Sequence, residues 1–262
     1  MPYAFGAAAG GAFPQLTITQ SQTWVPPQDG NVCIHVVGAG GGGTGHSNFR
    51  GGGAGAYAKI PSLAVTTSGS FTLVVGVGGT GTNNGGNAGV GGNSTIAGTG
   101  LTGTKTAEGG GGATSWPANG GGGTVLGSGE SWAGYTGGAG AGGGGGAVGV
   151  FATGNNGSIR LTDAAAGGLG MSGFGIICGG SQVSYSTSLY QHQSQQTTPP
   201  VAGDLCGGGA IDVSAINQYT PVFGGRGGIG GGGGGGKNRG SQADSFGGNG
   251  GDGIILIQYV PW

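Results

Sequence analysis

The chain has 262 residues, of which 77 are glycine, 10 are proline and only 6% are charged, with a formal net charge of −1. A charge this small gives neither nucleic acid nor an anionic membrane an electrostatic reason to bind. The glycines lack the strict three-residue period of collagen, and they alternate with apolar segments that a flexible linker would not contain.

Three segments predict β-strands, in chain order. Residues 15–37 predict β structure, because apolar and polar side chains alternate at residues 16–19 and again at residues 32–36, after a turn at Asp29-Gly30. Residues 70–75 follow the same alternation, and residues 254–260 are apolar on both faces, as in a buried central strand. We expect the strands near the two ends of the chain to pair in one small β-sandwich.

The glycines between these strands occur in blocks, the clearest being Gly40–Gly43, Gly109–Gly112, Gly120–Gly123, Gly142–Gly146 and Gly230–Gly236. An α-helix would lose about 1 kcal/mol per glycine relative to alanine, so almost no α-helix is expected. Extended polyglycine helices with three residues per turn can instead satisfy their backbone groups by bonding to each other. The predicted fold class is all-β and irregular, with a bundle of polyglycine helices packed beside the sandwich.

We expect residues 1–262 to form a single glycine-rich domain. Residues 1–14 are a possible attachment segment, and residues 181–200, which contain no glycine, are an inserted loop. Shorter interruptions of the glycine pattern are expected where a polyglycine helix reverses, and these are residues 46–50, 114–117, 130–135 and 237–239.

Catalytic patterns are weak. Gly231–Lys237 matches part of a phosphate-binding loop, but Asn238 occupies the Ser/Thr position and no strand-loop-helix pattern surrounds it. Cys33, Cys178 and Cys206 have no metal-binding spacing and are expected to be buried thiols. We therefore expect no catalytic residue, no metal site and no cofactor, and the chain is not predicted to be an enzyme.

The inserted loop is the best candidate for binding because tyrosine offers a large contact area and polar side chains offer adaptable hydrogen bonds. Its candidate residues are Tyr185, Tyr190, Gln191, His192 and Gln193. A second candidate set is Trp116, Trp132 and Tyr135. The same residues could instead form a plain surface loop or a subunit contact, and the aromatic set could shield the ends of the polyglycine helices.

Segments 23–43, 51–57 and 248–257 together resemble the glycine-rich domains of phage tail-fibre and other virion proteins. The resemblance includes the receptor-recognising adhesin at the tip of T-even-like long tail fibres. It implies a virion tail protein that is assembled in the host cytoplasm and displays loops to a host receptor, which would be a glycan or an outer-membrane protein. It also implies contacts with other tail proteins, while the oligomeric state stays open.

Two other functions remain open. The first is a purely architectural virion subunit whose loops contact other subunits. The second is ice binding by a flat face of polyglycine helices, which requires regular columns of threonine or alanine. The irregular spacing of Thr99, Thr102, Thr104 and Thr106 argues against ice binding.

Overall fold

The computed structural model describes residues 15–45, 50–83, 86–114, 120–140, 145, 164–165, 210–213, 222–238 and 245–260. None of these residues is helical, which confirms the expected absence of α-helix for the described part of the chain. Their strands are β1 (Gln15–Ile18), β2 (Gln22–Trp24), β3 (Gly30–Val37), β4 (Tyr57–Val65), β5 (Phe71–Val74), β6 (Ser94–Gly98), β7 (Lys105–Ala107), β8 (Val125–Leu126), β9 (Ala133–Tyr135), β10 (Ala164–Ala165), β11 (Ala210–Val213), β12 (Val222–Phe223), β13 (Gly236–Asn238), β14 (Ser245–Phe246) and β15 (Ile254–Val260).

Two antiparallel sheets of five strands form the sandwich. Sheet I has the order β1-β15-β3-β4-β9, and sheet II has the order β2-β5-β6-β7-β8. β15 lies between β1 and β3, with Gln258 opposite Gln15 and Ile254 opposite Val37. The predicted pairing of strands from the two ends of the chain is therefore confirmed. The remaining strands form two small sheets, β10-β11-β13 and β12-β14.

The core lies between the two sheets and follows the alternation of the strands. In β3, Val32, Ile34 and Val36 are fully buried, whereas the residues between them are half-buried on the opposite face. Phe71 and Leu73 of β5 face them from sheet II. Each large apolar side chain buried in this way contributes roughly 1.5–3 kcal/mol. The sandwich therefore supplies the apolar burial that glycine cannot.

The glycine segments continue directly from the ends of the strands. β3 leads into tract 38–45, the chain reverses, and tract 50–56 returns into β4. The same hairpin is repeated by β5 and β6 through tracts 76–83 and 86–93, and by β7 and β8 through tracts 108–114 and 120–124. We expected the tracts to lie beside the sandwich, and instead they extend it end to end.

Hydrogen bonding in tract 38–45 has a period of three residues. From Gly38 to Thr44, amides three positions apart donate to the same neighbouring tract, and their acceptors in that tract are also three residues apart. Gly45, the last described residue of the tract, donates to Thr82 instead. The periodic bonds are Gly38 to Ala56, Gly41 to Gly53 and Thr44 to Arg50; Ala39 to Gly92 and Gly42 to Gly89; and Gly40 to Gly251 and Gly43 to Gly248, with lengths of 2.8–3.1 Å. A helix with three residues per turn produces this pattern.

The carbonyls of tract 38–45 show the same period. They accept bonds from three further tracts, through Gly110 and Ala113, Gly79 and Thr82, and Gly233 and Gly236. Tract 38–45 is thus surrounded by six tracts, three antiparallel and three parallel to it. Among the described glycines of the tracts, only Gly230 has a positive φ. The predicted bundle of extended polyglycine helices is confirmed.

The tracts are arranged in layers that follow the sheets. Tracts 247–253, 38–45, 50–56 and 137–140 continue sheet I in the order of its strands, as neighbours linked by hydrogen bonds. Tracts 76–83, 86–93, 108–114 and 120–124 continue sheet II in the same way. A third layer, formed by tracts 224–228 and 230–236 with Gly145, covers the outer side of the first.

The molecule therefore has two distinct ends. Gln15 and Val260 lie at the sandwich end, away from the bundle, because β1 and β15 pair there. The tracts reverse at the opposite end, which we call the bundle end. Within the described residues, no helix is long and apolar enough to span a membrane.

Candidate functional site

The bundle end collects residues from tracts that are far apart in sequence. Thr44 forms bridges with both Arg50 and Thr82, and Gly45 forms one with Gly236. Each of these residues is the last or first described residue of its tract, or close to it. The fold therefore brings several chain reversals to one end of the molecule.

A pair of aromatic rings lies at the same end. Phe223 and Phe246 precede the parallel tracts 224–228 and 247–253, and their rings stack with centroids 5.0 Å apart and planes 11° from parallel. Asn83 forms a bridge with Phe246, which links this pair to the end of tract 76–83. These phenylalanines carry no sequence signal of a site, because each is an isolated aromatic residue before a glycine block.

Most of the predicted binding residues lie outside the described part of the chain. These are Tyr185, Tyr190, Gln191, His192 and Gln193 of the inserted loop, and Trp116. The attachment segment 1–14 also lies outside it. Trp116 belongs in sequence to the reversal between tracts 108–114 and 120–124.

Trp132 and Tyr135 lie in the sandwich, where the structure separates them. Trp132 is only 8% exposed, and its indole Nε1 donates a 3.0 Å hydrogen bond to the carbonyl of Leu126. Tyr135 is opposite Tyr57 on the edge strand β9 and is 38% exposed. Trp132 is therefore buried in the core of the sandwich and not at the end of a polyglycine helix, whereas the side chain of Tyr135 is accessible to a partner.

Residues 130–135 do not form a reversal between two polyglycine helices, as the glycine pattern suggested. They connect β8 to β9 at the sandwich, because Gly127, Gly129, Glu130 and Ser131 all have positive φ and turn the chain there. For Glu130 and Ser131 this conformation is uncommon, so the surrounding contacts must hold it.

Those contacts centre on Lys105, a buried lysine that the sequence did not reveal. Its side chain is fully buried, and its Nζ donates to the carbonyls of Thr102 and Ser128 and pairs with Glu130 Oε2 at 2.5 Å. The amide of Thr102 donates to Glu130 Oε1 over 2.8 Å. These bonds lower the pKa of Glu130 to about 2, chiefly through Lys105 and then through Thr102. The network fixes two turns at the sandwich end.

A second polar chain lies on the outer face of sheet I. Cys33 Sγ is 3.3 Å from His35 Nε2, and His35 Nδ1 is 2.8 Å from the hydroxyl of Tyr57. Burial, followed by the charge of Lys59, lowers the pKa of His35 to about 4, while burial raises the pKa of Cys33. A cysteine nucleophile needs the opposite shifts, toward a thiolate beside a charged imidazole. These three side chains are therefore a neutral hydrogen-bonded group on the surface of a sheet.

The remaining chemical patterns also have structural explanations. Gly233 and Gly234 donate their amides to Gly41 and Gly225 of other tracts, so the segment that resembles a phosphate-binding loop uses its amides inside the bundle. In the described part of the chain, no group of three or more His, Cys, Asp or Glu residues is placed to hold a metal ion.

Asn and Asp side chains complete the hydrogen bonding at the bundle surface. Asp252 accepts a 2.7 Å hydrogen bond from the amide of Gly78, and Asn249 accepts one of 2.7 Å from the amide of Gly81. The two acceptors are three residues apart, and so are the two donors. Asn93 accepts a 2.9 Å bond from Gly109 in the same way. These side chains take the position of a missing neighbouring tract.

Comparison with known proteins agrees with this architecture. No curated protein matches the chain at a significant level. A family model described as a glycine-rich domain matches residues 17–260, which extend from β1 to the last residue of β15. The chain therefore belongs to this family of glycine-rich domains.

Proposed function

We propose that the chain is a non-enzymatic protein of a phage tail, which displays recognition segments for a host receptor on a rigid polyglycine frame. The resemblance of its glycine segments to tail-fibre domains suggested this function. The observation that carries it is the delivery of several chain reversals to the bundle end, opposite the end where β1 and β15 pair.

Rigidity supports this role. Tract 38–45 is bonded to six neighbours, so the backbone that positions the reversals is held on every side. Recognition segments placed on a rigid frame lose less conformational entropy when they bind than segments on a mobile chain. A stiff bundle can therefore present variable segments without changing its own structure.

The surface chemistry supports selective contact. Only 6% of the residues are charged, so the frame has little electrostatic attraction for unrelated surfaces. Tyr185, Tyr190 and His192 would supply aromatic contacts to a glycan or to an outer-membrane protein, and Gln191 and Gln193 would supply hydrogen bonds. Trp116 is a further candidate for this contact, and Tyr135 on β9 of the sandwich is a candidate for a separate one.

Adsorption competition tests the proposal. Purified full-length chain is incubated with host bacteria before the phage is added, and the adsorption rate is measured. We expect the chain to bind the cells and to slow adsorption, and the double variant Tyr185→Ala/Tyr190→Ala to lose most of this effect. Thr67→Ala, an exposed turn residue at the sandwich end, is the matched control and should behave as the unaltered chain.

The architectural alternative gives a different result. A chain that binds other tail proteins but neither binds cells nor slows adsorption would contradict the receptor role and support a structural subunit. Ice binding receives no such support, because Thr106 lies in β7 and Thr99, Thr102 and Thr104 lie in the connection between β6 and β7. None of these threonines lies on a polyglycine tract.

A further inference from the structure

The outer face of sheet I is covered by the protein itself where the sheet meets the bundle. Val37, Tyr57, Ile254 and Leu256 are all buried there, and Ile229 from the turn between the two third-layer tracts packs against them. The third layer of tracts covers the continuation of this face in the bundle. An apolar sheet face in this fold is therefore buried by an additional layer of chain.

The outer face of sheet II has small, mostly β-branched side chains that line up across the strands. Thr72 lies opposite Thr23 and Ala97, and Thr95 lies opposite Val74 and Thr106. Leu126 of β8 extends the second row and is 49% exposed. Val74 is 38% exposed, so apolar surface on this face is in contact with water.

The exposed apolar surface continues onto the bundle. Tracts 76–83 and 86–93 expose every third residue, including Val77 and Val90, whereas most of their glycines are buried or half-buried. These two valines are 72% and 69% exposed, although glycine at either position would satisfy the bundle. Of the six large apolar residues that are exposed in the described part of the chain, four lie on this side: Val74, Val77, Val90 and Leu126.

Charge is scarce on this side of the molecule, and Glu108 of tract 108–114, which accepts a hydrogen bond from Thr124 Oγ1, borders it. The strands β2, β5, β6, β7 and β8 and tracts 76–83 and 86–93 contain one charged residue, Lys105, whose side chain is fully buried on the inner side. We call the outward side of these strands and of the two tracts the open face. A neutral face can meet an identical face without repulsion between like charges, which a charged face cannot do.

We propose that a second copy of this chain packs on the open face, related to the first by a two-fold axis. The partner copy provides for sheet II what the third layer provides for sheet I. Flat sheets with β-branched side chains pack face to face at about 10 Å, which suits two copies of this surface. Dimer formation does not depend on the receptor role, because it concerns how copies of the frame assemble.

The area of the open face sets the expected affinity of the dimer. Five strands spaced about 4.8 Å apart, together with two tracts rising about 3.1 Å per residue, give roughly 500 Å² per copy. Two copies would bury about 1,000 Å² in total, the lower limit for a specific interface. The dimer is therefore expected to be weak, with a Kd on the order of micromolar.

Sedimentation velocity of the full chain over a wide concentration range tests the proposal. We expect a monomer–dimer equilibrium for the unaltered chain. The double variant Val77→Asp/Val90→Asp places four carboxylates at the interface and should raise the Kd at least about tenfold, a change of about 1.4 kcal/mol. Ala64→Asp is the matched control, because Ala64 is an exposed residue of β4 in sheet I, on the opposite side of the sandwich from the open face.

Thermal unfolding of each variant separates loss of the dimer from loss of the fold. Thr95→Lys, in the middle of the open face, is a second variant that should weaken the dimer without altering the bundle. A chain that stays monomeric at every concentration would overturn the proposal. So would a dimer that these substitutions leave unchanged, or a monomer that uses the open face to bind a different tail protein. A chain that forms the dimer but does not bind host cells would contradict the receptor role and leave the dimer proposal intact.

Discussion

A Cβ on Gly40 would lie 1.9 Å from the carbonyl oxygen of Gly231, a separation that no side chain can occupy. The amide of Gly40 meanwhile donates to Gly251 in another tract over 2.8 Å. The absence of a side chain is thus what allows the backbones to approach closely enough to bond. Glycine, normally costly to order, becomes the packing residue of this bundle.

Substitution of Gly40 tests this relationship. Gly40→Ala should destabilise the protein by about 1–3 kcal/mol or more, as overpacking of a rigid interior does. Gly121→Ala is the matched control, because a Cβ on Gly121 meets nothing within 4 Å and its φ is not positive. It should be neutral or stabilise the fold by up to about 1 kcal/mol. Equal denaturation midpoints for the two variants would contradict the close packing.

The three-residue period predicts how insertions behave. One glycine inserted between Gly42 and Gly43 rotates the following residues by a third of a turn, so their amides face the wrong tracts. Three inserted glycines preserve the facing and only lengthen the tract. We expect the three-residue insertion to retain a higher denaturation midpoint than the one-residue insertion. The reverse order would rule out a helix with three residues per turn.

The pairing of Glu130 with Lys105 predicts acid sensitivity. The pKa of Glu130 is lowered from 4.5 to about 2, mainly by its bond with Lys105, so the folded state favours the carboxylate. Its stabilising contribution is therefore complete above pH 4.5 and is lost as the pH falls toward 2. In urea unfolding across this range, Glu130→Gln should be less stable than the unaltered chain above pH 4.5, and the difference should vanish near pH 2.

His35 predicts a second dependence of stability on pH, at higher pH than that of Glu130. Its pKa is lowered from 6.5 to about 4, first by burial and then by Lys59, so the folded state favours the neutral imidazole. Between pH 6.5 and 4 the unfolded chain binds more protons, and stability should fall as the pH decreases. His35→Gln should remove this slope, whereas Glu130→Gln should keep it. A slope that persists in His35→Gln would assign the effect to another group.

The sequence was sufficient for the main plan of the fold. The alternation in β3, the apolar run of β15 and the glycine blocks predicted a sandwich joined to polyglycine helices, because each pattern reflects a local requirement of the backbone. β4 and β6 were not predicted. Pro61 interrupts β4, and β6 is a short strand that ends at Gly98, so neither shows a strong local pattern.

The polar contacts of the folded chain were less predictable, because they join residues that are far apart in sequence. Nothing near Lys105 in sequence indicates that Glu130 will neutralise it inside the fold. The spacing of Asn249 and Asp252 did carry a signal, since a polar side chain at every third position identifies the outer side of a polyglycine helix. The layered order of the tracts follows from the sheets and is not visible in any single segment.

Amide hydrogen exchange resolved by residue tests the central claim most directly. We predict that the amides of tract 38–45, each bonded to a neighbouring tract, exchange as slowly as those of the central strand β3. Rapid exchange throughout tract 38–45, with protection confined to the strands of the sandwich, would contradict a bundle held together by glycine backbones.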